Sequence, residues 1–516
     1  MATCSHSNTA SSVSDADSDV PLQAPEIPLA YRAVRGGLWV ALGSWWTIGF
    51  GFVANIILTR LLAPEAFGAF ALAMFFAQLL RLEPKLGVSQ AFGQYKETSG
   101  ESVGTYLGLN SLIILAGLLL TIVAAPILRA LGYEALVVQV ALVLALAAAL
   151  ESIGALAGVM LDREMCFGPT SRLQMIVFPL SYLPAFWLAT HGGGVWSLAS
   201  QTLAYSALMS VGGWWIARRQ LLHIFQMRWR FSRPLAGRFL RFGVAVGATV
   251  LAAMLLTQLD NFLIGTIVGV TVLGFYDRAY RTAQWPSTLL TNMVSRTAFY
   301  TYARLQDDLP RLRKTVTMVL WAIVLLAWPI ALIIFVTAPD LIVLLYGERW
   351  LPSVPYLRLL VLIAAARPVW DNVTTLFMAI GKPRLNLVFM GVQIGVLIAA
   401  GWPLTLLWGA VGTCTAVGLA FAVGLVGAYS VLRRNLGVPI ETSLLIPVLV
   451  SFLVVAGYML VNRLTDINAL SVPVRVGVKS LWVIVVYLGL NFLLQPRLMR
   501  GRVEYVGKLA RQQGET

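Results

Sequence analysis

The sequence predicts an all-α polytopic membrane protein of about fourteen transmembrane helices, arranged as two pseudo-symmetric six-helix lobes plus two C-terminal helices. Three observations carry this prediction. Of 516 residues, 58% are hydrophobic and 12% charged, with a mean hydropathy of +0.79, whereas a soluble chain carries about a quarter charged residues. The apolar residues fall into runs of roughly 20, the length a helix needs to cross about 30 Å of hydrocarbon. Short motifs also recur in the same order at nearly constant offset, as a duplicated lobe requires.

Taken in order, the apolar runs and their Gly, Pro and charge breaks place spans at approximately 37–59, 66–92, 104–126, 135–160, 170–190, 194–217, 242–268, 273–299, 315–338, 353–380, 385–407, 409–432, 443–462 and 474–495. Residues 1–34 are polar and rich in Ser, Asp and Pro, without the basic-then-apolar order of a signal peptide, and read as a disordered cytoplasmic tail. The N-lobe then covers 35–217, a basic cytoplasmic linker 218–241 and the C-lobe 242–434. Two more spans fill 435–496, and a basic cytoplasmic tail runs over 497–516.

With the N-terminus inside, segments assigned to the cytoplasm hold roughly 26 Lys and Arg, against about seven on the other side. That asymmetry follows the positive-inside rule and fits an even number of spans with both termini cytoplasmic. The net charge of +15 is therefore a topological signal. No nucleic-acid-binding module accompanies it. In the linker ARRQLLHIFQMRWRFSRPLAGRFLRFG (217–243), arginines alternate with Phe225, Trp229, Phe231 and Phe239. Two readings stand open there, an interfacial segment gripping anionic lipid and an ordinary cytoplasmic connection.

The repeat rests on three pairs. ILTRLLAPEAFGAFALA (57–73) matches LIGTIVGVTVLGFYDRA (263–279) at an offset of 206, with Gly68 against Gly274. FGPTSRLQMI (167–176) matches GKPRLNLVFM (381–390), and GGVWSLASQ (193–201) matches WGAVGTCTA (408–416), at offsets of 214 and 215.

Charges inside spans carry the chemistry, because each costs about 2.5–3.5 kcal/mol at the bilayer centre. They are Arg81, Glu83, Lys85, Glu151, Asp260, Asp277, Arg278, Arg281, Arg367 and Asp371. Arg81 and Lys85, Asp277 and Arg281, and Arg367 and Asp371 stand at i, i+4, which puts each pair on one helix face. Arg81, Glu151 and Arg367 lie about fifteen residues from the periplasmic ends of their spans, roughly 22 Å deep. Pro84 removes a backbone hydrogen bond and bends the second span, tolerable where the freed carbonyl meets protein or water. Five acids and five bases permit complete mutual neutralisation, so a network that locks helices is one reading. The other is that Arg81, Lys85 and Arg367 await an anion, phosphate above all for the planar guanidinium. Asp277, Arg278 and Arg281 sit near a span end, where they brace a gate or snorkel. Asp260 pairs with one of these arginines or, with Glu151 and Asp371, carries a coupling ion, since no P-loop supplies ATP.

Other chemistries lack support. Cys4, Cys166 and Cys414 are odd in number and dispersed, and His6, His191 and His223 are isolated, so neither a disulfide framework, a metal site nor a catalytic triad is suggested. No cofactor is expected. Trp45, Trp46, Trp285 and Trp370 suit either interfacial anchoring or stacking on sugar rings.

The segments RLLAPEAFGAFALA (60–73), LGVSQAF (86–92), LDREMCFGPTSR (161–172), QLDNFLIGTIVGVTVLGFYDRAYRTAQWP (258–286) and TYARLQDDLPRLRK (301–314) carry a family likeness. Over about residues 35–435 the chain resembles the Wzx-type polysaccharide flippases, in the polysaccharide transporter branch of the multidrug/oligosaccharidyl-lipid/polysaccharide exporter superfamily. The resemblance implies a two-lobed, V-shaped transporter in the bacterial inner membrane, not an enzyme. It would move undecaprenyl-diphosphate-linked oligosaccharide repeat units to the periplasmic leaflet for exopolysaccharide, lipopolysaccharide or capsule synthesis. LLRLEPKLGVSQAF (79–92) is also similar to the second span of lipid II flippases, where an Arg is thought to meet the lipid diphosphate. Arg81 is the matching position, while Glu83, Pro84 and Lys85 depart from that pattern. Membrane lipids and a polysaccharide polymerase with its co-polymerase are the implied partners. A drug or cation exporter of the same superfamily, and a membrane glycan polymerase or ligase, are the alternatives.

Overall fold

The computed structural model describes residues 29–95, 97–437, 446–464 and 470–496. Most of the expected N-terminal tail, Lys96 and the expected basic tail at 497–516 lie outside the described residues. Eleven helices among them are long and apolar enough to cross a membrane. The expected count of fourteen exceeds this for identifiable reasons. One of the eleven, Pro383–Arg434, is 52 residues long and holds two expected spans. The sixth and eighth expected spans are helical but fall outside the eleven, the sixth being less apolar and the eighth interrupted.

The chain forms two compact units, one through Met254 and one from Leu255. In the first, α1 (Leu29–Leu61) leads into a second span that is not one helix. It comprises α2 (Pro64–Leu80), α3 (Glu83–Leu86) and α4 (Val88–Gln94). Pro84 sits in the first turn of α3, where its missing N–H and fixed φ are harmless, and it forbids continuation of α2 through that turn. Arg81 ends α2 in extended conformation with ψ 115°, and Gly87 between α3 and α4 has φ 55°.

The interrupted span is followed by α5 (Gly100–Ala130), α6 (Ala135–Arg163), α7 (Phe167–Thr190), α8 (Val195–Gln220) and the short α9 (Leu222–Gln226). α6 packs against α2, α5 and α8, while α7 lies against α1 and α8. α10 (Arg233–Ile267) then runs through the division between the units.

The core beside α4 gathers Phe92, Tyr106, Met160, Leu161 and Phe239. Phe92 stacks on Tyr106 at 4.1 Å and takes the Arg163 guanidinium over its ring at 4.4 Å. Arg163 also donates to the carbonyls of Phe92 and Tyr95 at 3.2 and 2.9 Å, a cation on the exposed C-terminal end of α4. Many large side chains instead point outward, among them Leu112, Leu115 and Val123 on α5. Such a periphery suits lipid and not water.

The second unit contains α11 (Val270–Ala283), α12 (Trp285–Leu305) and α13 (Leu309–Tyr346), then a 3₁₀ turn (Glu348–Ser353), α14 (Val354–Ala379), α15 (Pro383–Leu436), α16 (Ile446–Leu464) and α17 (Val472–Leu494). α14 packs against α11, α12, α13 and α15, and α16 and α17 dock on α13.

Two features of backbone accompany the sequence repeat. Pro64 and Val270, 206 positions apart, each begin a helix that places Gly68 or Gly274 four residues on. Gly194, joining α7 to α8, has φ 52° and ψ −126°. Gly409, 215 positions later and joining the two halves of α15, has φ 58° and ψ −141°. Side-chain-bearing residues rarely enter that region, so both turns demand glycine.

Candidate functional site

The helix break in the first unit organises one cluster of polar groups. Ending α2 at Arg81 orphans carbonyls of its last turn. The Lys85 ammonium reaches back to them, donating to the Gln78 carbonyl at 2.9 Å and to the Leu79 carbonyl. The expected face shared by Arg81 and Lys85 is thus corrected. The i, i+4 relation needs a continuous helix, and Pro84 denies it.

Arg81 turns to α6. Its Nε and Nη2 donate to Ser152 Oγ at 3.2 and 2.8 Å, its Nη1 lies 3.4 Å from Glu151 and its Nη2 3.6 Å from Glu83. Ser152 donates in turn to Glu83 at 3.3 Å, and Ser89 to the other Glu83 oxygen at 3.1 Å. Glu83 is buried, whereas the Glu151 side chain is 53% exposed. A small pocket beside them is lined by Ala77, Arg81, Glu83, Gly117, Ala145 and Ser152. Small residues of α5 and α6, Gly117 and Ala145 among them, form its wall opposite Arg81.

The seat of the break is backbone on backbone. A Cβ at Gly243 would collide with the Leu86 carbonyl, and one at Gly247 with the Lys85 carbonyl. The glycine surface of α10 therefore receives residues 85–87 directly.

The second unit has its own polar cluster. Asp277 on α11 is clasped by Arg278 at 2.5 and 3.1 Å and by Arg281 at 3.0 and 3.1 Å. Asp277 and Arg278 are buried, and the Arg281 side chain is 53% exposed. Here the i, i+4 expectation holds because α11 is unbroken. Asp260 on α10 accepts instead from the Tyr276 hydroxyl at 2.6 Å and the Asn261 backbone N–H at 2.9 Å. Tyr276 stacks on Tyr280 at 6.1 Å, and the Tyr280 hydroxyl accepts from Arg367 at 3.4 Å. Asp371 lies one turn beyond Arg367 on α14, its carbonyl accepting from Thr374 and Thr375. Of the tryptophans weighed as sugar platforms, Trp370 is buried against Phe389 and Phe421, while Trp45 and Trp46 are exposed on α1.

A third cluster was not anticipated. Asp340 on α13 binds Lys479 at 2.6 Å and Arg475 at 3.3 Å, both on α17, and Lys479 is as deeply buried as its partner. The expected ninth span ends near residue 338 and leaves Asp340 outside, while Arg475 and Lys479 fall at the start of the expected span 474–495 and are absent from the intramembrane charges weighed above. The i, i+4 spacing of the two cations was the available signal.

A chain of many long apolar helices, one span of which is broken beside a cluster of buried polar groups, is a polytopic membrane protein of the helical class. Consistent with that class, the fold is similar to that of the lipid II flippase MurJ in its inward closed conformation, with a TM-score of 0.70 and 16% identity, covering 89% of this chain and 100% of MurJ. Residues 57–355 match the family described as polysaccharide biosynthesis protein. The lipopolysaccharide biosynthesis protein WzxC of Escherichia coli (strain K12) is 24% identical over 369 residues, 70% of this chain and 72% of WzxC. The succinoglycan biosynthesis transport protein ExoT of Rhizobium meliloti (strain 1021) is 27% identical over 334 residues, 64% of this chain and 66% of ExoT. The chain belongs to the polysaccharide biosynthesis protein family, the Wzx-type branch that its motifs resemble, and is a multi-pass bacterial inner-membrane protein.

Proposed function

We propose that this protein flips undecaprenyl-diphosphate-linked oligosaccharide repeat units from the cytoplasmic to the periplasmic leaflet by alternating access. The observation that carries the reading is the state of Arg81. Its short hydrogen bonds go to a neutral hydroxyl, while its carboxylate contacts of 3.4 and 3.6 Å exceed the usual 2.7–2.9 Å or so of a charge-assisted pair. A diphosphate arriving in the pocket offers Nη1 and Nη2 a better partner than the half-exposed Glu151, which can swing to water. Arg81 is the first anion contact. Lys85 shapes the break and adds charge to it, and Arg367 is the second unit's own anion contact. Asp277, Arg278 and Arg281 brace a gate.

Coupling to an ion gradient or the membrane potential resets the cycle, with Asp260, Glu151 and Asp371 as candidate carriers. Both termini and the 217–243 linker face the cytoplasm, and fourteen crossings follow. Polymerase and co-polymerase act on the product.

A second reading has an observation of its own: the Arg81–Ser152–Glu83–Ser89 chain is what a helix-locking network looks like. Export per inserted molecule separates the two. The flippase site predicts a well-inserted Arg81→Ala protein that fails to export. The lock predicts low protein level, recovered in the Arg81→Ala, Glu83→Ala double variant. The leaflet occupied by a labelled lipid-linked oligosaccharide in proteoliposomes tests the flipping step itself.

A further inference from the structure

The linker between the sixth and seventh expected spans has a built shape. After α9, residues 227–232 run extended along the first turns of α5. The Arg230 N–H donates to the Gly100 carbonyl at 3.1 Å and the Ser232 N–H to Thr105 Oγ1 at 2.9 Å. Gly100, Gly104 and Gly108 form the seat. A Cβ on Gly104 would lie 2.6 and 2.7 Å from the Arg230 N and O, and one on Gly108 would lie 3.1 Å from the Phe231 ring. The chain is thus held flat against the helix end, and its side chains project outward.

What it projects is one-signed and amphipathic. All seven arginines from Arg218 to Arg241 are exposed, and residues 217–243 contain no Asp or Glu. Glu97 and Glu101 are the exposed acids of the adjoining helix end, too few to neutralise them. Trp229 and Phe231 are 42% and 50% exposed between those arginines. The Trp229 indole is tethered to the Ile224 carbonyl at 3.0 Å and lies against Phe225 at 5.7 Å. Arg219 stacks on the exposed Trp215 at 4.1 Å.

We propose that this docked linker is a binding surface for anionic glycerophospholipid headgroups. The arginines take the phosphates and the tethered indole enters the interfacial layer. The chemistry fits on three counts. Exposed aromatics beside cations match the headgroup boundary, guanidinium favours phosphate oxygens, and the surface adjoins the starts of α5 and α10, both long and apolar enough to cross a membrane. A glycine-seated strand presents this face without the entropy of ordering a free loop. The consequence is a collar of anionic lipid fixed at one edge of the first unit.

The test uses the full-length protein in nanodiscs containing brominated phosphatidylglycerol or brominated phosphatidylcholine at equal mole fraction, with tryptophan fluorescence as readout. Brominated phosphatidylglycerol is expected to quench more strongly, and Trp229→Phe to remove part of that excess. In R228Q/R230Q/R233Q, the phosphatidylglycerol fraction for half-maximal quenching rises by at least about tenfold, since each arginine near an anionic surface is worth about fivefold in binding. The matching triple lysine variant retains the preference and shows that folding is intact. Equal quenching by both lipids, or a preference unchanged in the glutamine variant, overturns the proposal and leaves an acidic protein as the partner to seek.

Discussion

Each unit interrupts its second span, yet the two interruptions use charge in opposite ways. In the first, the cations sit on the break itself. Arg81 ends α2, Lys85 binds the carbonyls that the break exposes, and the carboxylate contacts of Arg81 are long. In the second, α11 stops at Gln284, past the charged residues. Asp277, Arg278 and Arg281 lie within continuous helix in short multidentate contact, with Asp277 and Arg278 buried and Arg281 half-exposed. Buried pairs of that kind are costly to open, because removing one partner strands the other away from water. The lesson is that charge number does not separate a site from a strut. Contact length, burial and the state of the backbone beneath do so.

The comparison can be broken first at its strut. Asp277→Ala leaves Arg278 buried without its carboxylate, and a loss of about 3–5 kcal/mol is expected, read as a collapse of inserted protein and of thermal stability in detergent. If the variant inserts normally, the second cluster is not structural.

Next in size is the seat of the first break. Gly247→Ala drives a methyl into the Lys85 carbonyl, an overpacking of about 1–3 kcal/mol. Gly237→Ala on the same helix meets open space and gains up to about 1 kcal/mol from helix propensity. Equal melting temperatures for the two variants would dissolve the claim that the break rests on α10.

Arg81→Ala sharpens the contrast through function. A smaller stability loss than for Asp277→Ala is expected, because the carboxylate contacts of Arg81 are long and Ser152 and Ser89 still donate to Glu83, with export per inserted molecule falling at least tenfold or so, near 1.4 kcal/mol in the transport barrier. Undiminished export by a well-expressed protein would remove Arg81 from the site. The smallest effect belongs to Arg81→Lys, which keeps the charge and loses the planar fork. Its export should lie between the other two, and activity equal to the alanine variant would mean that charge alone contributes nothing.

Much of the fold was legible because lipid imposes a simple code of apolar runs of fixed length, cations on one side and breaks at Gly and Pro. Pro84 announced its bend in this way. What it did to the neighbours was not legible, since spacing rules assume an unbroken helix and Lys85 lies past the break. Asp260 illustrates a second gap. Its partner Tyr276 is neutral and sixteen residues away, so a search for opposite charges pointed at Arg278 and Arg281 instead. Asp340 and Lys479 stand 139 residues apart, a separation at which one-dimensional patterns carry no distance.

The glycine turns at Gly194 and Gly409 carry a consequence for the history of the chain. The stretches 193–201 and 408–416 around these two turns share few letters beyond the glycine itself. The shared backbone corner instead marks what cannot drift, because any beta-carbon there raises the energy of both hairpins in the same way. At these two positions the backbone angle is constrained more tightly than the chemistry of the flanking residues. Distant copies of such lobes should therefore be easier to align by their forbidden torsions than by their sequences.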